Sequence, residues 1–215
     1  IKGRLSKMNC INDRELDEYI NRVIGTLTED QLSELKQSPY PYVVKIQEKV
    51  KHLLSQHRCR TFERWLEQDK IVCRPNYAMP TVISPTSFTT MVPKSLYTAE
   101  EDMDKYEFKV VWKLASLDNV KWWHRNISRL GFQINGPVHA YPDLIVMLQS
   151  GKILMVETKG DHLDNDESKE KAKIGDQWAK LAGKQYKYYM VFETKQPDYP
   201  GAYSLERFMD IVKGM

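Results

Sequence analysis

Asp143, Glu157 and Lys159 are the residues whose types and spacing could do chemistry together in this chain. They lie in YPDLIVMLQSGKILMVETKG, residues 141–160, which reads as two apolar strands, 144–148 and 152–156, joined by a turn at Gln149, Ser150 and Gly151. If the turn has three residues, Leu148 faces Lys152, and counting back sets Asp143 opposite Glu157. A two-residue turn would set Asp143 against Thr158 instead. Directly opposed residues on antiparallel strands lie roughly 4.5 to 5.5 Å apart at Cα, side chains on one face. Strand alternation puts Lys159 on the face of Glu157 and turns Thr158 away. Two carboxylates and an ammonium at one strand end suit metal-assisted phosphodiester hydrolysis. Hard oxygen ligands hold Mg²⁺, which lowers the pKa of a bound water and offsets charge in the transition state, while the ammonium orients that water.

The neighbouring segments must position this hairpin. A helix is expected from Thr98, a hydroxyl cap ahead of Glu100 and Glu101. Met103, Val110, Val111, Leu114 and Leu117 form its apolar stripe, and Glu107 falls inside that stripe. A carboxylate there must be paired, hydrogen-bonded or metal-bound, or else reach water from the stripe's edge. Residues 119–134 lead into the hairpin, and the adjacent Trp122 and Trp123 would face opposite sides of a strand, one into core and one outward. Lys121, Arg125 and His139 are candidates for phosphate contact, or ordinary surface charge. After the hairpin, Asp164, Asn165 or Asp166 caps a helix that Gly183 stops; Ile174, Trp178 and Leu181 are its inner stripe, and Lys169, Lys173 and Gln177 a second line that could meet phosphate. Residues 186–193 then read as a strand joining the hairpin across the helical crossover, and residues 205–212 as a closing helix.

The front of the chain is different in kind. Residues 12–69 read as four helices: one on Leu16, Ile20, Val23, Ile24 and Leu27; a short one with a Thr28–Gln31 capping box; a third on Tyr42, Val43, Ile46, Val50, Leu53 and Leu54; and a fourth on Phe62, Trp65 and Leu66. His52, His57 and Cys59 lack zinc-site spacing. Pro75, Pro80, Pro85 and Pro93 mark a linker or wrapping segment in which residues 71–73 or 81–83 could form short edge strands. The expected division is a helical subdomain at 1–76, a proline-rich connector at 77–97 and the chemical domain at 98–215.

With 215 residues, 41% hydrophobic and 28% charged, the composition is that of a folded globular chain, and a formal charge of +3 neither demands nor excludes a nucleic-acid partner. Cys10, Cys59 and Cys73 are odd in number and widely spaced, as free thiols in a reducing compartment would be. No apolar run reaches the roughly 18 residues of a membrane span, and no signal-peptide pattern occurs. A cytoplasmic location and no membrane partner are expected. The sequence opens on Ile1 and reads as a piece of a longer polypeptide, and no GxxxxGK[ST] run supplies an ATP site.

Pro142-Asp143 followed by Glu157-Thr158-Lys159 resembles the PD-(D/E)xK nuclease motif, and Glu107 matches the glutamate of that superfamily's first core helix. KSLYTAEEDMDKYE, NVKWWHRN, INGPVHAYPDLIV and VETKGDHLDN, between residues 94 and 165, resemble the C-terminal endonuclease region of type III restriction enzyme Res subunits and related DEAD/DEAH-box helicase nucleases. Residues 1–69 are similar to the segment linking helicase and nuclease there. The resemblance implies an α/β restriction-endonuclease-like core: a helix, a mixed sheet with a central hairpin, a crossover helix and a strand, behind a small all-α subdomain. It implies metal ligation by Glu107, Asp143, Glu157 and the Thr158 carbonyl, with Lys159 positioning the nucleophile and Mn²⁺ able to replace Mg²⁺. The expected activity is that of a metal-dependent DNA endonuclease in restriction-modification. Its expected partners are double-stranded DNA, an ATP-dependent helicase region of the same polypeptide and a modification or specificity subunit. The competing expectation is a non-catalytic nucleic-acid-binding or docking module that keeps the fold.

Overall fold

The computed structural model describes residues 12–73, 77–89 and 91–215. Cys10, Pro75 and the boundary expected after residue 76 lie, in whole or in part, outside them. The chain divides into two compact units, Ile1–Glu67 and Gln68–Met215, so the proline-rich stretch clusters with the second unit.

The first unit is helical. Helix α1 (Asp13–Gly25) is capped by Asn12, whose side chain accepts the Glu15 N–H, and α2 (Glu29–Gln37) opens on the Thr28–Gln31 capping box. The two further helices expected at 42–54 and 62–66 are one, α3 (Tyr40–Glu67). No Gly or Pro interrupts residues 55–61, so nothing forces an end between the two apolar runs, and Pro41 sits in the first turn, where a missing N–H is harmless. Leu16 and Ile20 pack with Val43, Ile46 and Val50 as this unit's core.

The second unit is α/β. A five-stranded mixed sheet has the order β1 (Val120–Arg125), β2 (Leu144–Leu148), β3 (Ile153–Lys159), β4 (Tyr186–Phe192) and β5 (Ala202–Ser204). The first three strands are antiparallel neighbours, while β4 is parallel to β3 and β5 to β4. The β2–β3 register runs from Leu144↔Val156 to Met147↔Ile153, and Leu148 N–H donates to the Lys152 carbonyl at 2.9 Å. The turn therefore holds three residues, with Gly151 at φ +83° supplying the left-handed corner. Strand β3 runs on to Lys159, past the Val156 expected, because β4 supports it as far as Lys159↔Phe192.

Both faces of the sheet are covered, so β2 and β3 are apolar on both sides. Helices α4 (Lys105–Ala115) and α6 (Leu205–Lys213) cover one face, where Val110, Val111, Leu114, Phe208 and Val212 meet Trp123, Val146, Leu154 and Val191. Helix α5 (Asp166–Ala182) and the 132–140 segment cover the other. Trp122 and Trp123 do face opposite sides, but Trp122 packs into the second cluster rather than pointing outward. The edge of β1 is closed by backbone: Leu96 N–H donates to the Trp123 carbonyl at 2.8 Å, and Trp123 N–H to the Lys94 carbonyl at 3.0 Å. Residues 71–73 and 81–83 form no strand.

Two helical expectations in this unit change, and one strand is new. Helix α4 starts at Lys105 rather than near Thr98, because Asp104 and Glu107 form a reciprocal capping box, while Glu100 and Glu101 are spent on contacts with other segments. The inner face of α5 is Ser168, Ala172, Ile174 and Gly175, and Leu181 is half exposed near the helix end. Strand β5, unannounced by any apolar run, pairs through only Ala202, Tyr203 and Ser204.

Gly175 is where α5 approaches the sheet most closely: a Cβ there would lie 2.2 Å from the ring of buried Tyr188. Gly175→Ala should lower the unfolding free energy by about 1 to 3 kcal/mol through overpacking, despite its better helix propensity. Urea unfolding measures this, and an unchanged midpoint would refute the tight approach.

Candidate active site

The ladder between β2 and β3 ends at Leu144↔Val156, one step short of Asp143 and Glu157. There the Asp143 side chain takes over from the backbone. Its Oδ2 accepts the Thr158 N–H at 2.7 Å and the Thr158 hydroxyl at 2.8 Å. Thr158, expected to point away from the carboxylate pair, thus grips the first of the two with both its N–H and its hydroxyl. The Asp143 carbonyl accepts the Asn126 N–H at 2.8 Å and an Arg125 Nη1–H at 3.0 Å. Asn126 is buried and also donates Nδ2–H to the Pro142 and Phe132 carbonyls, at 2.7 and 2.9 Å, fixing the chain just ahead of Asp143.

Glu157 is buried at the same strand end. Its Oε1 lies 2.7 Å from Lys159 Nζ, and its Oε2 accepts the Tyr188 hydroxyl at 2.6 Å. Tyr188 pairs with Met155 across the parallel ladder, so it is a diagonal neighbour of Glu157 on the same face. Burial, then the adjacent Glu157 charge, pushes the Tyr188 phenol well above its ordinary value, and it stays a donor. Burial works to lower the Lys159 pKa, but the Glu157 charge and hydrogen bond, with Asp143 behind them, raise it overall and Lys159 stays an ammonium.

Glu107 reaches the site from the first turn of α4. Its Oε2 accepts the Asp104 N–H at 2.9 Å, and its Oε1 lies 2.8 Å from Arg125 Nη2. Burial raises its pKa, opposed by Arg125 and reinforced by Asp143. Arg125, a candidate for phosphate contact or ordinary surface charge, is instead turned inward: its side chain is 17% exposed and spans Glu107 and Asp143, with Nη1 3.4 Å from Asp143 Oδ1. The Arg125 N–H donates to Glu100 Oε2 at 3.1 Å, and that oxygen also pairs with His124 Nδ1 at 2.8 Å in a buried couple.

The structure therefore gathers Glu107, Arg125, Asp143, Glu157, Thr158 and Lys159. Of the other candidates, His139 is exposed beside the Tyr141 ring, and Lys169 is exposed on α5 with Nζ 5.9 Å from the Tyr199 ring centre. Lys173 and Gln177 lie further along that helix, exposed and half-buried respectively. Sequence reasoning missed Tyr188, Asn126 and the Glu100–His124 couple. The alternation of β1 bore on Arg125, which shares the face of buried Trp123, whereas Tyr188 depends on a parallel register that a crossover of free length does not fix.

Among the described residues no three His, Cys, Asp or Glu side chains converge as a ready metal cage. The Arg125 guanidinium stands between Glu107 and Asp143, and this keeps the third carboxylate apart. Asp143 and Glu157 still suit a hard divalent cation in donor type. A carboxylate has about four lone-pair directions. Glu157 uses one on Lys159 and one on Tyr188, and Asp143 Oδ1 meets only Arg125 among these contacts. No family model, no curated protein and no solved structure matches this chain. No described helix is long and apolar enough to cross a membrane.

The raised Glu107 pKa has a signed consequence. A carboxylate whose folded pKa exceeds its unfolded one contributes stability below the unfolded value, which is lost as pH rises through the folded one. Wild-type stability relative to Glu107→Gln should therefore fall as pH rises through and just above the ordinary carboxylate range near about 4.3. Paired urea titrations across that window test it, and a constant difference would contradict it.

Proposed function

We propose that this chain is a Mg²⁺-dependent DNA endonuclease unit with a restriction-endonuclease-like core, acting as the nuclease part of a helicase-nuclease of the type III restriction Res kind. The observation that carries this reading is that Glu157 pairs with Lys159 at the open end of the β2–β3 hairpin, while the next residue, Thr158, locks Asp143 there, close enough for its charge to act on Lys159. Asp143, Glu157 and the Thr158 carbonyl would hold the ion, while Glu107, expected as a further ligand, is engaged by Arg125 on the α4 side. Bound Mg²⁺ supplies a low-pKa water and charge stabilisation for phosphodiester hydrolysis.

The chain's own residues do the rest. Lys159, kept protonated by Glu157, donates hydrogen bonds to the attacking water or the phosphate and orients the nucleophile. Tyr188 anchors one oxygen of Glu157 and so orients the carboxylate, whose other oxygen pairs with Lys159 and would serve the ion when it is bound. The proposed substrate is double-stranded DNA, delivered by an ATP-driven helicase region, with sequence choice in a modification or specificity subunit.

A second reading draws on the same ion pairs: each of the three carboxylates has a basic partner, as in a non-catalytic nucleic-acid-binding or docking module. Nicking of supercoiled DNA in Mg²⁺ or Mn²⁺ separates the two. Under the nuclease reading, Asp143→Ala and Lys159→Ala each lower the nicking rate by about 100-fold or more relative to wild type. Equal rates in all three proteins would favour the docking module.

A further inference from the structure

Arg125 is the least expected member of the site. A guanidinium on a strand in a nucleic-acid enzyme ordinarily points at phosphate. Here Nη2 meets Glu107 Oε1 at 2.8 Å, while Nη1 meets the Asp143 carbonyl at 3.0 Å and Asp143 Oδ1 at 3.4 Å. The position is built rather than incidental. The backbone N–H of Arg125 is held by buried Glu100, whose carboxylate is fixed in turn by His124 and by the Ser95 hydroxyl at 3.1 Å. The neighbouring Asn126 N–H holds the Asp143 carbonyl. The guanidinium is thus anchored between two carboxylates that would otherwise stand beside one another as a cation site.

We propose that Arg125 is a resident cation that fills the Glu107–Asp143 side of the site, so that the chain takes one divalent ion, on the Asp143–Glu157 side, and not two. This rests on the metal-dependent reading above. Glu107 then acts on the ion only through Arg125, as a positioning residue.

Charge supports the count. Glu107, Asp143 and Glu157 against Arg125 and Lys159 leave one net negative charge. One divalent ion makes the site singly positive, which a single phosphodiester neutralises. A second ion would leave a surplus of three positive charges in a half-buried place, where like charges repel strongly. Two-metal sites hold their ions roughly 3.5 to 4 Å apart between shared carboxylates. The Glu107–Asp143 gap that a second ion would need is the gap the guanidinium occupies.

Mn²⁺ titration of the full chain, with free ion counted by electron paramagnetic resonance, tests this without reference to cleavage. Site ions are those lost in Asp143→Asn. Wild type should bind one. Arg125→Gln, which leaves two uncompensated carboxylates side by side, should bind a second ion or bind the first at least 10-fold more tightly. Arg125→Lys, which keeps the charge, should still bind one. Melting in EDTA and in Mn²⁺ serves as the check on folding: Mn²⁺ should raise the midpoint of Arg125→Gln by more than that of wild type. If Arg125→Gln does not fold in either, the wild-type count decides alone. Two site ions in wild type would overturn this proposal and leave the nuclease reading standing. An Arg125→Gln variant that binds one ion with unchanged affinity would also overturn it. No site ion in wild type would overturn the metal-dependent reading itself and this proposal with it.

Discussion

The carboxylate of Asp143 joins three strands at the point where their backbone pairing ends. Strand β3 leaves the β2 ladder after Val156, so the Thr158 N–H has no backbone acceptor on that side, and Asp143 Oδ2 supplies one. From the end of β1, Arg125 and the residue after it, Asn126, hold the Asp143 carbonyl. An orphaned, half-buried N–H costs about 1 to 3 kcal/mol, so the carboxylate has a structural duty before any chemical one. That duty sets where its second oxygen points. The opening of the hairpin and the presentation of an acid at its mouth are one event.

The remaining parts follow from holding charge at a sheet end whose faces are both covered. Three carboxylates cannot stand there unpaired, and each has a donor whose own position is fixed. Glu107 is held as the capping residue of α4, so the helix start and the site share one side chain. Glu157 is held by Tyr188, which occupies the space that Gly175 leaves open on α5. Arg125 is held by Glu100, whose partner His124 packs at 5.0 Å from the Tyr97 ring. The small inner face of α5 thus has a reason beyond packing: a larger residue at 175 would displace the phenol that orients Glu157.

Much of this was legible in the sequence where local rules decide. The pairing of the two strands, the sharing of a face by Glu157 and Lys159, and the Thr28–Gln31 capping box follow from spacing and side-chain type, whereas spacing left the turn at two or three residues and the cap of α5 among Asp164, Asn165 and Asp166. The α/β class of the second unit follows from the order of elements. What was not legible depends on long-range pairing. Glu100 and Glu101 look like first-turn acids of a helix, and only the segments brought beside them, at Thr86 and at His124, show that they cap nothing. Arg125 looks like a surface base because its two partners lie 18 residues on either side. Tyr188 looks like one more aromatic in a strand until the parallel register places it beside Glu157. The inner face of α5 was misread at Leu181 because close helix–sheet packing selects small residues, which hydrophobic patterning passes over.

The most direct measurement of the central claim is anomalous scattering from crystals of this chain soaked in Mn²⁺. The proposed arrangement predicts a peak within ligand distance of both Asp143 and Glu157, with Lys159 beside it and Arg125 still spanning Glu107 and Asp143. A crystal at millimolar Mn²⁺ with no peak there, and with Glu157 still paired only to Lys159 and Tyr188, would contradict it.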